Sequence, residues 1–222
     1  MSRRCAVIFA ALLLCAGALP LAAAEAAEGA ATTAETLLFE SDHLAGLPLP
    51  ASLAYRFSWD GEKPFADRIV LSIDAARHVA VDYLSGERRI DYPVVSDARG
   101  NPLLLYFLEQ DLREMQRLTG GSTGYFRRFV RRALAAPGLV VEPLTIEIAG
   151  RSVQASRLVI QPYRADPLGP SRYPELAGKT YEFIFSSAVP GHIVQLVSRV
   201  STADGQTRTA RVERSENAAL KS

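Results

Sequence analysis

LAYRFSWDG, residues 53–61, alternates strictly between apolar and polar side chains. Leu53, Tyr55, Phe57 and Trp59 fall on one side, and Ala54, Arg56, Ser58 and Asp60 on the other. A period of two is the spacing of a strand with one buried face, because successive side chains leave a pleated backbone in opposite directions. Asp60-Gly61 supplies a turn at its end. The rhythm then repeats. DRIVLSID (67–74) carries Ile69, Leu71 and Ile73 in alternation, and RHVAVDYLSG (77–86) carries Val79, Val81 and Tyr83. ERRIDYPV (87–94) reads as a shorter strand, confined to an edge or an end by Pro93, which has no N–H to give to a ladder.

After residue 100 the period changes to that of a helix. Asn101 is an N-cap and Pro102 suits the first turn, where its missing donor costs nothing. The run to Leu118 places Leu104, Leu105, Leu108, Leu112 and Met115 on one stripe, with Glu109 and Arg113 spaced as an i,i+4 ion pair. TGGSTGYFRRFVRRALA (119–135) ends that helix and begins another. Gly120-Gly121 accepts the left-handed conformation of a helix end, and Ser122 or Thr123 caps the next helix. Phe126, Phe129, Val130, Ala133 and Leu134 then form one apolar stripe, and burying each phenylalanine contributes roughly 1.5–3 kcal/mol. Arg127, Arg128, Arg131 and Arg132 occupy the opposite side, a solvated face or a dock for an anionic membrane or partner protein. At about 1 kcal/mol per cation, four give a dissociation constant on the order of millimolar, enough for transient contact. Pro137-Gly138 stops this helix.

Strands resume with LTIEIAGRSVQASRLVI (144–160), a hairpin about Ala149-Gly150. A polar loop, 163–179, follows, then KTYEFIFSS, HIVQLVSRV and QTRTARVER, an antiparallel meander whose turns are Val189-Pro190-Gly191 and Asp204-Gly205. About four strands, two helices and about five strands predict an α+β fold. The expectation is one large curved antiparallel sheet or half-open barrel of about nine strands, with the inserted helical hairpin covering its aromatic face.

The first 24 residues read as a signal peptide for periplasmic export. Arg3 and Arg4 precede an apolar run from Ala6 to Leu19, and Ala22-Ala23-Ala24 offers the small residues of a cleavage site. Cys5 and Cys15 both lie in that segment, so the mature chain has no thiol, disulfide or thiolate ligand. Removing 24 of 222 residues leaves 198, an ordinary single-domain size. Two of the 25 basic residues go with the segment and none of the 24 acidic ones, which takes the formal charge from +1 to −1. Such a balance argues against a nucleic-acid partner. Residues 25–36 are expected to be a disordered leader, 37–216 the folded domain, and 217–222 a flexible tail.

Chemistry-bearing motifs are few. The glycines at 120, 121 and 124 follow a helix and have no lysine, so they do not form a phosphate loop. Gly120-Gly121-Ser122-Thr123-Gly124 joins two helices, whereas a nucleophile elbow joins a strand to a helix. Glu40, Asp42 and His43 gather near one another without any metal-ligand spacing, and His78 and His192 read as surface residues. No catalytic residue, metal or cofactor is predicted. A hydrolase assembled from dispersed acids and histidines is the weakest of three readings.

In organisation the chain resembles the periplasmic lipoprotein-carrier superfamily (the LolA and LolB type) and related exported β-rich families. The features that carry the likeness are the leader, the aromatic strand LAYRFSWDG, the helices that interrupt a meander, and the turn 189–191 into HIVQLVSRV. The resemblance implies helices forming a lid over an apolar interior. It suggests a non-enzymatic binder of lipid or lipoprotein, with Tyr55, Phe57 and Trp59 lining the cavity. The alternative is a protein–protein accessory or assembly factor with a fully packed core and no cavity.

Overall fold

The computed structural model describes residues 33–164, 166, 172–201 and 205–215. The proposed signal peptide, the tail 217–222 and most of the leader lie outside them. Eight strands form one open antiparallel sheet in the order β3-β2-β1-β8-β7-β6-β5-β4. They are β1 (Ala51–Asp60), β2 (Phe65–Ile73), β3 (Val79–Tyr83), β4 (Val141–Ile148), β5 (Arg151–Ile160), β6 (Thr180–Phe185), β7 (Ile193–Ser201) and β8 (Thr207–Arg214). The fold is α+β. Every neighbouring pair is also adjacent in sequence except β1 and β8, whose pairing of Phe57 with Val212 and Trp59 with Ala210 joins the two ends of the domain. The edge strands are therefore β3 and β4, and the chain crosses between them through two helices, α2 (Leu103–Thr119) and α3 (Thr123–Leu134). Pro143 lies on edge strand β4, where a missing ladder donor is tolerated.

Turn chemistry explains the hairpins. β4 and β5 are joined by two residues, Ala149 at φ 50° and Gly150 at φ 72°, the pair of positive angles a two-residue hairpin needs to match strand twist. Along β1, Ala51, Leu53, Tyr55 and Phe57 are buried as the alternation predicts, and Trp59 is half-buried. Ile69, Leu71 and Ile73 of β2 and Tyr181, Phe183 and Phe185 of β6 are buried in the same way.

Several expectations change. ERRIDYPV is not a strand, which reduces nine strands to eight. Leu84 at φ 63° and Gly86 at φ 56° turn the chain into a short 3-10 segment (Gly86–Arg88), and only isolated bridges, Tyr83 to Ile90 and Val79 to Val95, touch β3. The leader ends sooner than position 36. Thr33–Glu35 is a helical turn (α1) that continues as a wider turn, Thr36–Glu40, and buries Ala34 and Leu38 in the core.

The helix ends follow the sequence, except that α2 starts one residue later than expected, with Pro102 in place of Asn101 at the N-cap position. Asn101 Oδ1 accepts from Leu103 N, Gly120 closes α2 at φ 68°, and the Ser122 side chain accepts from Tyr125 N. On α3, Phe126, Phe129, Val130 and Leu134 are buried as predicted. On α2 the stripe is rotated. Leu105 is exposed, because it stands about 100° around the helix from Leu104, and Phe107 and Asp111 take the buried positions. Glu109 bonds Arg127 of α3 across the hairpin, with Arg127 Nε and Nη2 at 2.8 and 2.7 Å from its two oxygens, in place of the predicted Arg113.

Candidate functional site

A cleft of about 410 Å³ opens between the β1–β2 hairpin and α2. Register builds its apolar wall. Trp59 pairs with Phe65 across the hairpin, and the Phe65 ring lies against Phe57 with centroids 5.6 Å apart. Gly61 at the turn lies under the indole. A Cβ there would sit 2.7 Å from Trp59 Nε1, so only glycine lets the ring fold back over the turn. Opposite Trp59, β8 offers only Ala210, and α2 contributes Phe107.

Charge surrounds the mouth. Arg88 sits 4.6 Å above the Phe65 ring and 3.5 Å from Asp67. Arg117 holds Glu114 through two hydrogen bonds of 2.8 and 2.6 Å. Lys63 is exposed and makes no ion pair among the described residues.

At the inner end lies Asp111, which is 4% exposed. One of its oxygens accepts from Lys179 Nζ at 2.8 Å and from the Ser198 hydroxyl, and the other accepts from the Tyr181 hydroxyl at 2.6 Å. Lys179 also donates to Ser198 Oγ at 2.6 Å. Burial drives the Tyr181 hydroxyl well above the ordinary phenol range, so it stays a donor. A serine beside a lysine could serve nucleophilic catalysis if the amine were a free base. Here the Lys179 amine is taken up by Asp111 at 2.8 Å, and Ser198 is 2% exposed. The cluster pins α2 to β6 and β7.

The predicted ligand-binding residues divide. Phe57 and Trp59 line the cleft together, whereas Tyr55 lies outside it. The Tyr55 hydroxyl accepts from Asn101 Nδ2 at 2.9 Å, and the same amide donates to Gly191 O at 2.9 Å. The Asn101 backbone N–H donates to His43 Nδ1 at 3.2 Å, and His43 Nε2–H donates to Leu37 O at 2.7 Å. One buried relay thus links the Thr36–Glu40 turn, β1, the start of α2 and the β6–β7 turn. Asn101 was legible as a cap, but nothing local in the sequence pointed to its side-chain amide bonding two distant segments.

The four arginines divide as well. Arg127 is committed to Glu109, whose carboxyl those hydrogen bonds hold below its usual range. Arg128 stacks 5.2 Å from the Phe129 ring centroid. Arg131 and Arg132 are exposed and make no ion pair among the described residues. Asp42 is taken by Arg77 through two bonds of 3.0 Å, and His78 bonds Asp74 at the surface. His192 is half-buried, its ring 5.5 Å from that of His43. Among the described residues no three His, Cys, Asp or Glu side chains converge as metal ligands, and no helix is long and apolar enough to cross a membrane. Compared with protein-family models, curated proteins and solved structures, the chain matches none.

Proposed function

We propose that this chain is an exported, non-enzymatic periplasmic protein that holds an apolar or amphipathic ligand, such as lipid or a lipoprotein acyl group, between its sheet and its helices. In this reading the sheet curves towards a half-open barrel, and α2 and α3 form the lid of a carrier of the LolA and LolB type. The observation that carries it is the cleft itself. Its volume of about 410 Å³ falls within the range of small-molecule sites. Phe57, Trp59, Phe65 and Phe107 give it an aromatic wall, and the exposed Lys63 at its mouth, which has no ion pair among the described residues, suits an amphiphile better than a pure hydrocarbon. Topology and bonding favour a lid, because the helices connect opposite edges of the sheet and Asp111 of α2 is bonded to β6 and β7.

The arginine helix would then meet an anionic membrane or partner. With Arg127 and Arg128 engaged within the protein, two free cations at about 1 kcal/mol each give a dissociation constant on the order of tens of millimolar. Charge alone supports an encounter and no more.

Trp59 is the single tryptophan of the chain and stands in the cleft, so it reports occupancy directly. Titration with N-phenyl-1-naphthylamine is expected to show energy transfer from Trp59, and Ala210→Leu, which fills the space facing the indole, is expected to abolish it. Native mass spectrometry of protein purified from its own periplasm should show co-purified lipid. A probe that does not bind, or that binds the filled variant equally well, removes the carrier reading and leaves the accessory-factor reading.

A further inference from the structure

A second concavity, of about 580 Å³, lies among the Thr33–Glu40 segment, α2 and α3, and shares no lining residue with the cleft. Its floor is aliphatic. Leu108 and Leu112 of α2 face Val130 and Leu134 of α3 there. At its rim stand Phe39 and Leu105, 42% and 52% exposed, two of the four large hydrophobic side chains that the described residues leave in water. Its charges are unequal. The Glu109 carboxylate is closed by Arg127, which leaves the exposed Arg131 and Arg132 against one further acid, Glu35.

Scattered apolar residues on a surface need no explanation, but two at one groove with an aliphatic floor mark a binding surface. A flat anionic bilayer would use the arginines and leave the groove unfilled. A single hydrocarbon chain fills a groove of this size, and a negative head group at its end answers the two cations. We propose that this groove binds one aliphatic chain bearing an anionic head group. The chain lies on the aliphatic floor between Phe39 and Leu105, and the head group meets Arg131 and Arg132. This site is separate from the Trp59 cleft and stands or falls independently of it.

The probe is dodecanoate below its micelle-forming concentration, titrated calorimetrically into the purified protein and mapped by amide chemical shifts. Dodecyltrimethylammonium, with the same chain and the opposite charge, is the comparison. Dodecanoate is expected to bind more tightly, with shifts at Leu105, Val130 and Arg131 and no change in Trp59 emission attributable to this site. The double substitution Arg131→Gln, Arg132→Gln should weaken it roughly tenfold or more. Leu105→Gln should weaken both amphiphiles, and neither variant should shift the melting temperature, because these side chains are exposed. Equal affinity for the two amphiphiles overturns the proposal. So does full affinity in the variants, or a shift map confined to the Trp59 cleft. The groove would then belong to a protein segment or a second copy of the chain.

Discussion

The two ends of the inward face of β1 obey the same alternation and meet different fates. At the first end Leu53 and Tyr55 are sealed. The Tyr55 hydroxyl takes a hydrogen bond from Asn101, and Gly191 approaches so closely that a Cβ there would lie 2.5 Å from Leu53 Cδ1. At the second end Phe57 and Trp59 point to the same side of the sheet, yet a cleft opens beside them. What differs is the opposing surface. The sealed end faces a buried amide with partners on three segments, and the open end faces Ala210 and the polar residues Gln110 and Glu114. A period of two decides which side a residue faces. The residues opposite decide whether that side is packed or hollow.

The largest expected effect lies where the cleft meets the sealed core. Asp111→Ala leaves the ammonium of Lys179, 2% exposed, without its carboxylate. Removing one member of a buried pair costs about 3–5 kcal/mol, because the remaining charge stays desolvated. Urea unfolding should show a loss of that size. A loss below about 1 kcal/mol would mean that water reaches Lys179 through the cleft, and the boundary between the two ends would dissolve.

A smaller effect separates the ends directly. Gly191→Ala puts a methyl group into the sealed end at φ +77°, against Leu53 and the Tyr55 hydroxyl. Strain and overpacking there should cost about 1–3 kcal/mol. Ala210→Leu adds more carbon at the open end and should cost less than about 1 kcal/mol, since the cleft has room. Equal costs by thermal unfolding would show that the two ends are packed alike.

Which of these features the sequence revealed follows from distance along the chain. The caps, the two-residue hairpin turn and the buried stripe of α3 are local, and residues within four positions of one another specify them. Phe57 and Trp59 could be read as facing inward because alternation is local too. The Asp111 cluster could not, because its partners Lys179 and Ser198 lie 68 and 87 residues away. An aspartate in mid-helix looks like a solvated residue until the sheet brings a lysine to it. The misreading of ERRIDYPV has the opposite cause. Its apolar spacing suggested a strand, but positive φ at Leu84 and Gly86 redirected the backbone before a ladder could form. The arginines of α3 fall opposite its buried stripe, as local periodicity dictates, yet their fates depend on Glu109 from the other helix and on the rings beside them.

The smallest effect is one of pH, and it tests the sealed end from within. Burial lowers the affinity of His43 for a proton, and its two ring nitrogens are already engaged, Nε2–H with Leu37 O and Nδ1 with the Asn101 N–H. Protonating Nδ1 would turn an acceptor into a donor facing a donor. His192, also lowered by burial, and Asp42, whose charge favours protonation but is engaged by Arg77, are the titratable groups facing it. Above the ordinary imidazole value of about 6.5, folded and unfolded chains both hold His43 neutral and pH has no leverage through it. As pH falls through that value the unfolded chain takes up a proton that the folded chain refuses, so stability is lost. The loss stops once the native His43 titrates at its own lower value. Carboxylates held low by their partners, such as Asp42 and Glu109, lose their contribution only nearer pH 4, outside this window. Unfolding free energy should therefore decline between about pH 7 and 5. His43→Gln should be less stable at pH 7 but show a flatter slope, because no proton competes for the Asn101 bond. A slope unchanged in that variant would mean that solvent reaches the imidazole, and the relay joining the Thr36–Glu40 turn, β1 and α2 would be open like the Trp59 end.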